Sequence, residues 1–178
     1  LGNQGLNSRF KAGAKQPLQL YVNDFDQNGR DETILCQYNG SESYPVVMRN
    51  DLVKQLPVLK KKYLKFNDYK NQAITQVFTS EQLRGAVVKE TVALETAILW
   101  NRGQGKFELE SLPYPAQIAP VFAVAVADFD ADGHPDILLG GNEERCKPET
   151  GICLASRGVL LRGDGKGKFA PVPVRESG

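Results

Sequence analysis

The chain contains one phrase written twice. "NDFDQNGRDETIL" runs from Asn23 to Leu35, and "ADFDADGHPDILL" runs from Ala127 to Leu139. In register, Asp24, Phe25, Asp26 and Gly29 face Asp128, Phe129, Asp130 and Gly133. The preceding residues agree as well: "LQLYV" and "FAVAV" both read as strands. A phrase repeated between repeated strand signals marks a repeated structural unit.

Oxygen-bearing side chains stand at the first, third, fifth and ninth positions of each copy. They are Asp24, Asp26, Asn28 and Glu32, then Asp128, Asp130, Asp132 and Asp136, with glycine at the sixth position of both. A hard cation such as calcium takes six to eight oxygens at about 2.3–2.6 Å, so a short loop must curl tightly around it. The seventh residues, Arg30 and His134, would add backbone carbonyls. The loops are not EF-hands, because Leu35 and Leu139 stand where that motif needs a bidentate Glu. An acidic turn that binds nothing is the competing reading, since Asp, Asn and Gly favour turns. Two aligned copies favour calcium, with magnesium disfavoured because it keeps several waters. Two calcium sites are therefore expected. The second should be the tighter, with four carboxylates against three and an amide.

A second signature also recurs. "ILWNRGQGKFELESLP" from Ile98 and "VLLRGDGKGKFAPVPV" from Val159 each read as strand, Gly-rich turn and strand, reaching Phe107 or Phe169. The opening "LGNQGLNSRFKAG" looks like the end of the same signature, with Phe10 in the matching place. Each unit is then strand, calcium loop, strand, connection, strand, Gly turn, strand. Tandem four-stranded units predict a mainly β fold, a β-propeller fragment of about two blades plus part of a preceding one. Residues 1–16 would be the tail of a preceding blade, 17–115 a blade, and 116–178 a second blade. The first blade carries an α-helical insertion at about 44–85. Leu52, Val53 and Leu56, then Leu59, Tyr63 and Phe66, form its apolar stripe. The insertion is expected on a rim of the propeller, outside a β core that supplies most of the stability.

These residues resemble the FG-GAP or VCBS repeat family, the integrin-α-like β-propellers. "DFDQNGRDE" and "DFDADGHPD" are similar to its D-x-D-x-[DN]-G-x-x-[DE] loop, and "NRGQGKF" and "GDGKGKF" to its Gly-Asp-Gly-x-Phe hairpin. The insertion further resembles Bacteroidetes repeat proteins related to the ASPIC/UnbV group. The resemblance implies calcium held between the first two strands of a blade, serving structure first. Family propellers close with about seven blades, so the chain is expected to be a piece of a longer protein.

Catalysis is not expected. The one histidine, His134, lies inside a loop, and the paired carboxylates are already assigned to the loops. The Gly-rich segments join strands, so no phosphate cradle precedes a helix. A net charge of +1 gives no reason to expect nucleic acid, and "KKKYLK" reads as a solvated helix face. No apolar run is long enough to span a bilayer. Cys146 and Cys153 flank a hydrophilic loop that a disulfide would close, with two reduced thiols as the alternative; Cys36 reads as a small buried thiol. A disulfide implies an oxidising compartment: extracellular, periplasmic or cell surface. The expected function is a calcium-stabilised module presenting loops to a protein or glycan, with self-association through open sheet edges possible. The alternative is an accessory domain of a larger enzyme.

Overall fold

Each copy of the repeated phrase becomes a strand, a tight loop and an antiparallel return strand. The computed structural model describes residues 1–147 and 151–177. The chain is mainly β, with antiparallel sheets and no closed barrel among the described residues, as a β-propeller fragment requires. It divides into two compact units, Phe10–Ala93 and Leu1–Arg9 with Leu94–Gly178.

In the Phe10–Ala93 unit, β1 (Leu18–Asn23) pairs with β2 (Glu32–Asn39), and β2 with β3 (Glu42–Pro45). Strand β4 (Val87–Thr91) adds to the free side of β1, giving the order β3-β2-β1-β4. Between β3 and β4 lie α1 (Arg49–Gln55), a 3₁₀ turn at Pro57–Lys60, α2 (Phe66–Tyr69), α3 (Ile74–Val77) and α4 (Ser80–Gly85). These are the helices expected at about 44–85. The sequence pattern places them on a rim outside the β core, but they are part of that core. Leu52, Leu56, Tyr63, Ile74, Val77 and Phe78 are buried in one cluster with Phe25, Ile34 and Cys36 of the loop and β2. Helices this short have no independent stability and persist only by packing an apolar face on something larger. The sheet in turn has one apolar face, and these helices cover it.

The apolar stripe fails at one position. Tyr63 is buried, whereas Phe66 is 61% exposed, lying under the Arg49 guanidinium. Pro57 restarts the chain as a 3₁₀ turn and α2 begins afresh at Phe66, so a single helical register does not run through. The lysines around Tyr63 are exposed, and Lys62 donates to the carbonyls of Gln76 and Val77.

In the other unit, β7 (Ala123–Ala127), β8 (Asp136–Gly140), β9 (Val159–Gly163) and β10 (Phe169–Pro171) form a four-stranded meander in chain order, followed by α5 (Val174–Ser177). This is the expected unit. Strands β5 (Ala97–Asn101) and β6 (Phe107–Ser111) form a separate hairpin, and Ile98 of β5 packs on the core of Leu112, Ala116, Ile137, Leu139 and Leu161. Here the structure departs from the expected first unit. The Gly-rich hairpin does not complete the first sheet, because β4, returning from the helical insertion, already occupies the free side of β1. Residues 1–16 form no strand beyond an isolated bridge between Gly13 and Gln16.

All three cysteines are free thiols, so the expected Cys146–Cys153 disulfide is not formed. The Cys146 thiol turns instead to the Gly151 carbonyl, with Sγ 2.7 Å away, while Cys153 pairs through its backbone with Glu143. Residues 148–150, within the loop the disulfide would close, lie outside the described residues. Cys36 is fully buried, and burial pushes its thiol up to about 12. Alkylation of the folded protein without reductant should label Cys146 and Cys153 and spare Cys36 until denaturant is added; peptide mass spectrometry reads this directly. Leu56→Ala should destabilise the Phe10–Ala93 unit by about 2–5 kcal/mol. Val58→Ala, at a 60%-exposed position of the same insertion, should change little in denaturant unfolding followed by fluorescence and circular dichroism.

Candidate metal centres

The two loops are built alike. Each is closed by a cross-strand pair, Asn23 with Glu32 and Ala127 with Asp136. The fourth residues, Gln27 and Ala131, both take φ 60°, and the sixth, Gly29 and Gly133, take φ 85° and 86°. Glycine is needed at the sixth position for that left-handed backbone and not for room, because a Cβ there would meet nothing within 4 Å. The same four side-chain bonds then recur. Asp24 accepts from the Asn28 and Gly29 amides at 2.9 and 2.7 Å; Asp128 accepts from those of Asp132 and Gly133 at 3.1 and 2.9 Å. Asn28 and Asp132 accept from the amides of Arg30 and His134. At the base, Glu32 accepts from the Phe25 amide and Asp136 from that of Phe129, both at 3.0 Å.

The curl brings together Asp24, Asp26 and Glu32 in one loop and Asp128, Asp130 and Asp136 in the other, with one oxygen from each within 4.8 Å of the rest. Asp132 stands outside the second trio, one of its oxygens being turned to the His134 amide. Three carboxylates therefore converge in each loop, and Asp132 adds a fourth in the second where the first has the Asn28 amide. Arg30 and His134 are exposed at the seventh positions, and the His134 ring lies over Gly165, where any side chain would collide with it.

The residues fit a cation, and the first loop most clearly. Asp26 Oδ1 is sealed from solvent without a hydrogen-bond partner, an arrangement that is costly for a carboxylate unless a cation meets it. Glu32 is held above the usual carboxylate range, first by burial and then by the charges of Asp26, Asp24 and Asp31, against the opposing Phe25 amide bond. Among the described residues, no ion pair reaches this trio.

Residues 92–139 match the family model of the FG-GAP-like repeat. The matched segment covers β5, β6, β7, the second loop and most of β8. The match therefore supports the FG-GAP resemblance on one copy of the phrase, and the FG-GAP-like repeat so framed opens on the Gly-rich hairpin and ends past the acidic loop. No curated protein and no solved structure matches the chain.

Sequence reasoning missed the groups that brace each loop from outside. At the first, Phe25 stacks on Phe78 with ring centroids 4.1 Å apart, and Gln82 Nε2 of α4 donates to the Phe25 carbonyl at 2.7 Å. At the second, the Gly163 amide at the end of β9 donates to Asp136 Oδ1 at 2.9 Å, and Arg162 Nε donates to Asp130 Oδ2 at 2.5 Å. The Gly163 bond is the main cause that holds Asp136 below the usual carboxylate range, outweighing its burial. The arrangement leaves no room for a Cβ on Gly163, which would strike the Pro135 carbonyl.

Asp136 thus serves two backbone amides from different segments, whereas Asp132 serves one at the loop surface. In chelator, Asp136→Ala should lower the melting temperature by several degrees and Asp132→Ala by much less. Equal effects would show that the second amide bond contributes nothing.

Proposed function

We propose that the chain is a calcium-stabilised repeat module of the β-propeller type, from a secreted or cell-surface protein, that presents loops to a protein or glycan partner. The observation that carries the metal part is the first loop. Three carboxylates converge there around a buried oxygen without a partner. The same set of backbone bonds recurs in the second loop, within the segment that matches the FG-GAP-like repeat. Asp24, Asp26 and Glu32 would hold one ion with the side chain of Asn28 and the carbonyl of Arg30. Asp128, Asp130 and Asp136 would hold the other with Asp132 and the carbonyl of His134. A bound ion supplies positive charge that cancels carboxylate repulsion between the two strands of a hairpin. Its role is structural.

Among the described residues, no helix is long and apolar enough to cross a membrane. Strand β7 edges its sheet with Val124 48% and Val126 64% exposed, which favours pairing with a further strand, including one from a second copy. An accessory domain of a larger enzyme is the second reading, with the reacting groups supplied by other segments of a parent protein. Turnover confined to a longer chain would favour it; capture of one glycan class or one protein by this chain would favour the first.

Calorimetry on metal-freed protein should record two calcium ions per chain. Asp26→Ala should remove one and Asp130→Ala the other. Calcium at a hundredfold excess over Kd should stabilise the site it fills by about 2.7 kcal/mol. No calcium uptake, together with a melting temperature indifferent to chelator, would leave two acidic turns.

A further inference from the structure

Arg162 distinguishes the two loops. It lies on β9 beside Gly163, and its Nε donates to Asp130 of the acidic trio. Among the described residues, no ion pair reaches Asp26, the residue matching Asp130, and its Oδ1 has no hydrogen-bond partner. The reason is in the strand lengths. In the second sheet, β9 runs past β8 far enough for Gly163 to reach Asp136, which brings Arg162 onto the loop. In the first sheet, the strand in the same place, β3, ends at Pro45 opposite Cys36, short of Glu32. No basic residue is carried to the first loop by that route.

We propose that Arg162 is a built-in counter-ion of the second loop, which competes with calcium for Asp130 and weakens binding there. The proposal rests on the calcium reading of the loops. A guanidinium on one ligand oxygen neutralises part of the charge that would attract the ion and occupies one of its coordinating atoms. It also keeps the loop together in the absence of metal. To admit the ion fully, Arg162 must release Asp130, and its surroundings allow this. Its side chain is 53% exposed and borders an open cleft of about 390 Å³ shared with Asp130, Asp136, Arg157 and Glu176. Among the described residues, no cationic side chain pairs with the first trio, so none need be displaced there.

An exposed pair of this kind shifts an equilibrium by roughly two- to fivefold. The test titrates calcium into protein carrying Asp26→Ala, which isolates the second loop, with and without Arg162→Gln. Arg162→Gln should tighten calcium binding at the second loop by that factor and lower the melting temperature in chelator. Arg162→Lys should lie between, because it keeps the charge without the planar fork. In otherwise unaltered protein, the Arg162 Nε–H resonance should move and exchange faster with solvent as calcium saturates the second loop, a readout that needs no variant at Arg162. An unchanged or weakened affinity in Arg162→Gln, or an Nε–H resonance indifferent to bound calcium, overturns the proposal while leaving the metal reading intact. If neither loop binds calcium in the unaltered chain, both fall together.

Discussion

The bond between the ninth-position carboxylate and the second-position amide is the constraint on which each hairpin depends. Glu32 holds the Phe25 amide and Asp136 holds that of Phe129. Both carboxylates are buried at the first pair of the returning strand, where they close the loop and hand the chain into an antiparallel register. Burying a charged group at that point is unfavourable unless its oxygens are met. Two amides meet those of Asp136. Glu32, buried with one amide and the charges of Asp26, Asp24 and Asp31, keeps a raised affinity for protons. A divalent cation among these oxygens, as proposed, would meet the charge that the amides leave unmet.

Each loop is then braced by whatever the chain supplies next to it. At the first, the neighbour is the helical insertion, and the loop's own Phe25 is part of the core those helices make with the sheet. At the second, Phe129 is 45% exposed and the support comes from β9 through Gly163 and Arg162. One motif thus sits in two energetic settings, anchored by packing in one case and by polar contacts in the other. Differences in ion affinity between the loops should follow from these neighbours as well as from Asp132, which stands where the first loop has Asn28.

Much of this was legible from local pattern. The loops could be read because their chemistry lies within nine consecutive residues and recurs. Strands β7 to β10 could be read because alternation and turn glycines mark each in order. The insertion was visible as helical, yet its importance was not: periodicity shows that Leu52, Leu56 and Tyr63 share a face, but not that the face covers Ile34 and Cys36. Phe66 was misplaced because Pro57 resets the register that the stripe assumed. The placement of β4 and the reach of Arg162 to Asp130 depend on contacts between distant segments, and no short-range signal encodes them. The resemblance to FG-GAP repeats found the loop and the hairpin, and the family match covers one copy of that pair.

The central claim is that both loops are cation sites of one design. Crystals of metal-freed protein soaked in a calcium or lanthanide salt test it directly through anomalous scattering. The account predicts one strong peak inside each loop, about 2.3–2.6 Å from oxygens of Asp24, Asp26 and Glu32 in the first and of Asp128, Asp130 and Asp136 in the second, with the Arg162 guanidinium withdrawn from Asp130. Loops that keep their backbone course with no peak among those carboxylates would contradict it.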